Sequence, residues 1–586
     1  MNIRQATESA QQAGRPRASE RAASHRLAHR VGVGVLTALM AVGYSVYGLF
    51  QYYTFKPTSY DLLIFSEAVQ SYAHFHDGIS PIKGIHNGFG PNFSVLGDHF
   101  SPIIAALAPM YWFHNGADNL LVAQAVLFAL AIPPLWVFTR RAFGGGPKAT
   151  AAAYLVAVAY GLSFEIAAAA SFDFHEVAFA PVLTAIALER FQAGRLRSAL
   201  IALAFLLLVK EDMGLFVAGI GIYLALARPR VVRKQWLVGI GLVVVGVAWT
   251  AFATYVLIPS FGGHSDYYWA YGTLGKNVPQ VVGHIVAHPR SSLQMLFAPR
   301  VKLDTMLWLA GALCFLPLLS PIALAVIPLL VERMLNSKFG NWWGTDYQYN
   351  AYLVVALVCA AVDGAARLDR WLTRAWRYLT NRSGRPAPAA SVPAATVPAD
   401  AVPAQTAAAG ASPAGDAAAS GPTGGTTATA PAAPLRGAGT FALACAVAMC
   451  GVAVYTVSLP RFALAAALKP SFYHRTALDR AAAAADAVVP SGVTVQATNY
   501  LGPQLASKDR VLLWDGDGKH PPLYPPWVVA NVRQLQFTFS SVRQQRQSVQ
   551  HLENSGYRVV FRRDGYVVLH RVGQKTAAKT AQGGAG

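Results

Sequence analysis

About eleven apolar stretches recur along this 586-residue chain, near residues 31–50, 120–138, 150–170, 176–191, 199–210, 214–227, 236–258, 305–319, 322–335, 352–362 and 440–459. Several are too long and too apolar to be helices of a water-soluble core, so the chain has to be a polytopic membrane protein. Hydrophobic residues make up 54% and charged residues 13%, and the mean hydropathy of +0.35 agrees. A net charge of +20 would suit a nucleic-acid partner. Lys and Arg, however, gather in short loops between apolar stretches, which is the positive-inside pattern, so the charge reports topology and no nucleic acid is expected.

That pattern sets the expected orientation. With the basic segment 1–30 in the cytoplasm, the loops holding Arg140, Arg141 and Lys148, then Arg190, Arg195 and Arg197, then Arg228, Arg230, Arg233 and Lys234, and finally Arg367 to Arg385, all fall on one side. The chain is expected in a bacterial cytoplasmic membrane, with its C-terminus extracytoplasmic and its first helix an uncleaved signal-anchor. The outer face then receives the loop 51–100, the turns at Asp173 and at Glu211-Asp212, the stretches 259–302 and 336–349, and everything after 459. Segment 101–113 is too short to cross and reads as an interfacial or re-entrant helix ending in Tyr111 and Trp112.

The organisation follows: a membrane part over 31–383, an Ala/Pro-rich cytoplasmic linker over 384–435 with too few large apolar residues to order itself, and a last span over 436–459. Residues 460–572 read as a small extracytoplasmic α/β domain. A helix is expected over 477–488, strands over 493–497, 511–514 and 527–530, and a hairpin over 557–571 turned at Asp564-Gly565, before a frayed tail at 573–586. Cys314, Cys359, Cys445 and Cys450 lie in apolar runs without CxxC spacing and read as small apolar residues.

Most residues able to do chemistry sort to the outer face. Asp61 begins a helical pattern with Leu62, Phe65, Val69 and Tyr72 on one side and Glu67, Gln70, Ser71 and His74 on the other, as in a helix lying on the membrane surface. Asp61 is then either a helix N-cap or a catalytic base. His74, His76, His86 and Asp77 are metal-ligand types whose loop spacing fixes no geometry. Asp98-His99 can cap the return into the membrane or hold a divalent cation or a sugar hydroxyl, and Asp173, His175 and Glu176 crowd one tight turn at membrane depth. Lys210 stands beside Glu211 and Asp212 at the next outer turn. Arg290, Arg300, Lys302 and Arg333 are cations that topology does not explain, suited either to a lipid phosphate or to headgroups. Tyr268, Trp269, Trp342 and Tyr347 offer faces for a sugar, or an interfacial aromatic belt.

Tyr60-Asp61-Leu62, Gly97-Asp98-His99-Phe100-Ser101-Pro102, Asp173-Phe174-His175, Lys210-Glu211-Asp212, Tyr347-Gln348-Tyr349 and Asn499-Tyr500-Leu501-Gly502-Pro503 together resemble a bacterial family of polytopic membrane proteins placed near GT-C glycosyltransferases. Glu176 stands where the family pattern has proline, and Gln504 where it has histidine. The resemblance implies a GT-C-like α-helical fold and transfer of a sugar from a polyprenyl-phosphate-linked donor to a cell-envelope acceptor at the outer face. On it, Asp61 is the base; Asp98, His99, Asp173, His175 and Glu176 position the acceptor; and Lys210, Arg300 and Arg333 meet the lipid phosphate. Asp98, His99 and Asp173 are also the candidates for a divalent cation such as Mg or Mn. Two other readings stay open: a transporter or lipid flippase using Glu165, Glu211 and Asp212, and a non-catalytic envelope scaffold.

Overall fold

The structure is a computed structural model describing residues 3–228, 231–382, 438–515 and 524–571. The linker expected at 384–435 and the tail expected at 573–586 lie outside the described residues.

Every apolar stretch read from the sequence is helical at least in part, and among the described residues six helical segments are long and apolar enough to cross a membrane: Ser24–Tyr53, Asp118–Ala142, Gly146–Ser171, Gln235–Ser260, Gln348–Leu379 and Thr440–Ser458. The others are shorter, among them Leu196–Leu207 and Met213–Leu226. The first apolar stretch sits inside one helix, Ile3–Tyr53, which continues back through the polar N-terminal segment.

Burial separates centre from periphery. The most apolar window of Gln348–Leu379 is 83% buried within the protein, against 22% for that of Gln235–Ser260. The helix Ala351–Arg382 is accordingly the axis. It packs against Phe179–Gln192, Ile132–Ala142, Phe164–Ser171 and Ala438–Ser458, and against the 3-10 segments Leu316–Leu319 and Pro321–Val326. Gln235–Phe252 instead turns Val244, Val245 and Val247 outward, where lipid is their natural solvent.

Between apolar helices in lipid there is little hydrophobic drive to associate, so close backbone approach has to supply the contact. Met213–Leu226 and Gln235–Phe252 achieve it with paired glycines. A Cβ on Gly246 would lie 2.2 Å from the Gly214 carbonyl oxygen, and one on Gly239 would lie 2.5 Å from the Ala225 nitrogen.

The C-terminal part carries a five-stranded mixed sheet of order β2-β1-β3-β5-β4, with β1 Thr494–Ala497, β2 Arg510–Leu513, β3 Trp527–Asn531, β4 Tyr557–Arg563 and β5 Tyr566–Arg571. β2, β1 and β3 are parallel; β5 pairs antiparallel with both β3 and β4. The β4–β5 hairpin turns at Asp564-Gly565, both with positive φ, as a two-residue type I′ turn demands. The helix Ala477–Val488 opens on a capping box between Thr476 and Asp479. A further helix, Val542–Asn554, was not expected from the sequence.

Replacing Gly246 with leucine is expected to wedge its helix from Met213–Leu226 and to destabilise the protein by about 1–3 kcal/mol. Thermal unfolding in detergent, with alanine at the outward-facing Gly241 as control, measures it.

Candidate functional site

The site is assembled where the chain leaves its first long helix. Thr58, extended in backbone, caps the turn Ser59–Leu63, and its hydroxyl oxygen accepts the Asp61 N–H at 3.4 Å. The N-cap reading of Asp61 therefore does not hold, because the capping position is already filled. Ser59–Leu63 is a single π-type turn, a local widening often found at functional positions, and it leads into the helix Ile64–Ala73. That helix does not lie free on a membrane surface: Ala68 and Val69 are fully buried, and it packs against the 3-10 segment Pro102–Trp112.

Thr58 is tied in turn to the Asp173 carboxylate, which accepts its N–H at 3.0 and 3.1 Å and its hydroxyl proton as well. The Asp173 carbonyl oxygen lies 3.1 Å from His175 Nδ1, so an Nδ1–H donated there leaves Nε2 facing Asp61 Oδ1 at 3.9 Å. Phe172 stacks on the imidazole at 5.3 Å and Phe65 meets it edge-on at 5.6 Å, fixing the ring plane. Thus two acids and a histidine expected from sequence do converge, and their roles differ. Asp173 is buried and consumed by structure, whereas the Asp61 side chain keeps about a third of its surface exposed, at 34%.

Burial raises the Asp61 carboxyl above the ordinary carboxylate range, against the opposing pull of His175 and Lys83; Glu176 and Asp98 add to the rise. Asp173 is pushed up as well, first by burial and then by Asp61 beside it. A carboxylate that is accessible, faces an imidazole and binds its proton more tightly than usual is suited to accept one from a substrate hydroxyl.

Next to this pair lies a buried ion pair that the sequence reading passed over. Lys83 Nζ sits 2.9 Å from Asp98 Oδ1, the side chains being 2% and 12% exposed. Tyr268 donates its hydroxyl to the same carboxylate at 2.8 Å, and Lys83 also reaches the Tyr60 and Tyr268 hydroxyls at 3.4 and 3.3 Å. Burial alone would neutralise both groups; their mutual attraction outweighs it, raising the lysine and lowering the aspartate. His99 does not join Asp98. Its Nδ1 lies 2.8 Å from Glu211 Oε1, its ring stacks on Tyr268 at 4.7 Å, and Glu211 also accepts the Phe100 N–H. Lys210 reaches Glu176 at 3.6 Å and Asp212 at 4.0 Å.

The family described as Predicted membrane protein (DUF2079) matches residues 51–383. The chain belongs to this family. The match spans the Asp61 turn, the Lys83–Asp98 pair, the Asp173–Glu176 turn and Lys210, and ends before the last span and the sheet. No curated protein sequence matches. Among solved structures, the crystal structure of ArnT from Cupriavidus metallidurans bound to undecaprenyl phosphate is similar, with a TM-score of 0.45 at 14% identity over 92% of this chain and 98% of that one.

In this DUF2079 protein the other expected residues scatter. Arg333 is not free for a phosphate: it is buried and its guanidinium donates to the carbonyls of Trp342, Gly344 and Tyr349 and to Asn350 Oδ1. Lys302 likewise spends its ammonium on three carbonyls, of Met295, Met334 and Asn336. Arg300 is 89% exposed and pairs loosely with Asp304, one turn on in its own helix. Of the three phosphate candidates only Lys210 stands among the clustered acids. The metal set of Asp98, His99 and Asp173 is not assembled either. Those side chains bind Lys83, Glu211 and Thr58 respectively, and among the described residues no three His, Cys, Asp or Glu side chains are arranged to hold a metal ion. Tyr347 meets Phe172 edge-on at 4.9 Å and so borders the site, whereas Trp269 donates to Gly275 and Trp342 stacks on Phe339.

Two outcomes test these electrostatics. Lys83→Met strands the Asp98 charge and is expected to destabilise the protein by about 3–5 kcal/mol, most of which the double variant Lys83→Met/Asp98→Asn recovers; chemical unfolding in detergent reads both. Burial holds Glu67 at about 7 although Ile82 N–H and the Ser80 hydroxyl both donate to it. A folded-state value above the unfolded one means stability is fullest below about pH 4.5 and falls as pH rises through about 7. Glu67→Gln keeps the acceptor and removes that slope, so its Tm should gain on the parent between about pH 5 and about pH 8.

Proposed function

We propose that this protein is an integral-membrane glycosyltransferase of GT-C type. It would move a sugar from a polyprenyl-phosphate-linked donor to a cell-envelope acceptor at the extracytoplasmic face, with Asp61 as general base. The observation that carries this reading is the Asp61 turn: a carboxylate one-third exposed, facing His175 Nε2 at 3.9 Å, on a backbone tied down from two sides. Inverting transfer needs one base to take the proton of the acceptor hydroxyl as that oxygen attacks the anomeric carbon. The bond to the carrier phosphate breaks with its electron pair going to the phosphate, which leaves without protonation. Unlike an inverting hydrolase, the site therefore needs no second carboxylic acid. Charge compensation for the departing phosphate falls to Lys210, whose ammonium is already set among acids at the same end of the bundle.

Glu165 favours a second reading. It is buried in the helical bundle, 1% exposed, where a transporter moving protons or ions would keep a carboxyl.

Undecaprenyl-phosphate-linked sugars are the first donors to supply. With membranes holding the full chain, Asp61→Asn should lower transfer by at least about 100-fold, the range expected for a general base, while the protein inserts and melts as before; unchanged transfer would end the assignment. Because the base works only when deprotonated, activity should be full above the raised Asp61 value and fall as pH drops through it, at a higher pH than an ordinary carboxylate would give. If Glu165→Gln abolishes function and Asp61→Asn does not, the transporter reading replaces this one.

A further inference from the structure

The Asp61 turn is finished by residues that lie about 440 positions later in the chain. The first N–H groups of a helical turn have no partner within the turn and need one from outside. Thr58 serves Asp61 N–H; the two before it are served by Asn499. Ser59 N–H donates to the Asn499 carbonyl at 2.6 Å, the Ser59 hydroxyl donates to the same oxygen at 2.8 Å, and Tyr60 N–H donates to Asn499 Oδ1 at 3.1 Å. Ser59 and Asn499 are both buried, so these bonds meet little competition from water.

Asn499 is itself held by the sheet. It lies two residues past the end of β1, and the intervening Thr498 N–H donates to the Val529 carbonyl of β3 at 3.0 Å. It therefore stands just beyond the carboxyl ends of the parallel strands, where open α/β sheets present their binding groups. Three residues on, Gly502 allows contact: a Cβ there would come within 2.0 Å of Ser59 Oγ. The same segment grips the chain a second time upstream. Tyr52 donates its hydroxyl to the Pro503 carbonyl at 3.0 Å, and Gln504 Nε2 donates to the Tyr52 carbonyl at 2.6 Å. Residues 499–504 thus bracket the approach to Asp61 on both sides.

We propose that Asn499 is a positioning residue: through Ser59 and Tyr60 it fixes the Asp61 carboxylate against His175, so that the C-terminal sheet is a structural part of the site. The inference rests on Asp61 being the reacting group only for its effect on transfer; the effect on Asp61 itself stands apart from what the protein transfers. Two anchors hold the turn, Asp173 through Thr58 and Asn499 through Ser59 and Tyr60. Weakening the second lets the turn shift toward water while the first stays intact. The ionisable groups facing Asp61 are His175, Lys83, Glu176, Asp98, Asp173 and Tyr349, whereas the bonds of Asn499 to this region go to Ser59 and Tyr60. A change in Asp61 on altering Asn499 therefore reports position, not a lost charge.

The test uses the full chain in lipid nanodiscs, with aspartate side-chain carboxyls carbon-13 labelled and the Asp61 signal assigned by its absence in Asp61→Asn. In Asn499→Ala, which removes the acceptor of Tyr60 N–H and keeps the carbonyl that serves Ser59, Asp61 should titrate lower than in the parent by roughly half a unit or more, as a newly hydrated carboxyl does, with the unfolding transition of the sheet retained. Ser59→Ala, which removes a different one of the three bonds and leaves the C-terminal part unaltered, should shift it the same way, and Ser59→Ala/Asn499→Ala should shift it further. A folded Asn499→Ala whose Asp61 titration is unchanged overturns the proposal; if that variant does not fold, an unchanged titration in Ser59→Ala overturns it. With an undecaprenyl-phosphate-linked sugar as donor, Asn499→Ala should lower kcat at unchanged donor KM. No transfer by the parent, with the titration shift still present, counts against the transferase reading and in favour of the positioning role.

Discussion

Lipid gives a polar side chain or an open backbone group nothing to bond with, and this constraint arranges the rest of the molecule. Most helices of the bundle meet through alanine, glycine and branched apolar residues, and ionisable groups are displaced to the turns that join them. Turns that follow one another around a bundle end bring residues distant in sequence together. Asp61, Asp98, Asp173, His175, Lys210 and Glu211 come from three separate connections and still sense one another's charge. The clustering needs no dedicated scaffold beyond the bundle itself.

Once gathered, the charged groups are stabilised by division of labour. Lys83 and Asp98 neutralise each other almost out of reach of water, as do His99 and Glu211 at one remove. Asp173 is occupied by Thr58. Asp61 keeps the greatest access to solvent of these acids, with only an imidazole at the edge of contact. That accessibility is what the proposed role of Asp61 rests on.

Membrane segments were legible because their signal is additive over many residues, and the hairpin at Asp564-Gly565 because its two positive φ angles are met by the residues that tolerate them. The helix Val542–Asn554 was not: apart from Gln545 it buries only Val549 and Leu552, too thin a stripe to show a period among arginines and glutamines. In the site, Asp61, Asp173 and His175 stood out as ionisable residues in turns. Lys83 did not, since a lysine in a polar loop looks solvated; the argument applied to Arg300 and Arg333, a cation on the side poor in positive charge, would have found it. Arg333 failed for the converse reason: nothing in its sequence context reveals that backbone carbonyls take all its donors. Asn499 was visible only as part of a family pattern, because a hydrogen bond spanning about 440 residues leaves no local trace.

That span also sets an order of events during synthesis. The segment around Ser59 leaves the ribosome well before its partner Asn499, which follows the helices of the membrane part. At typical elongation rates the gap is roughly 20–90 s. Through that interval a growing chain can carry an inserted bundle whose Asp61 turn lacks its second anchor. The geometry of that turn is therefore complete only after the sheet has been made.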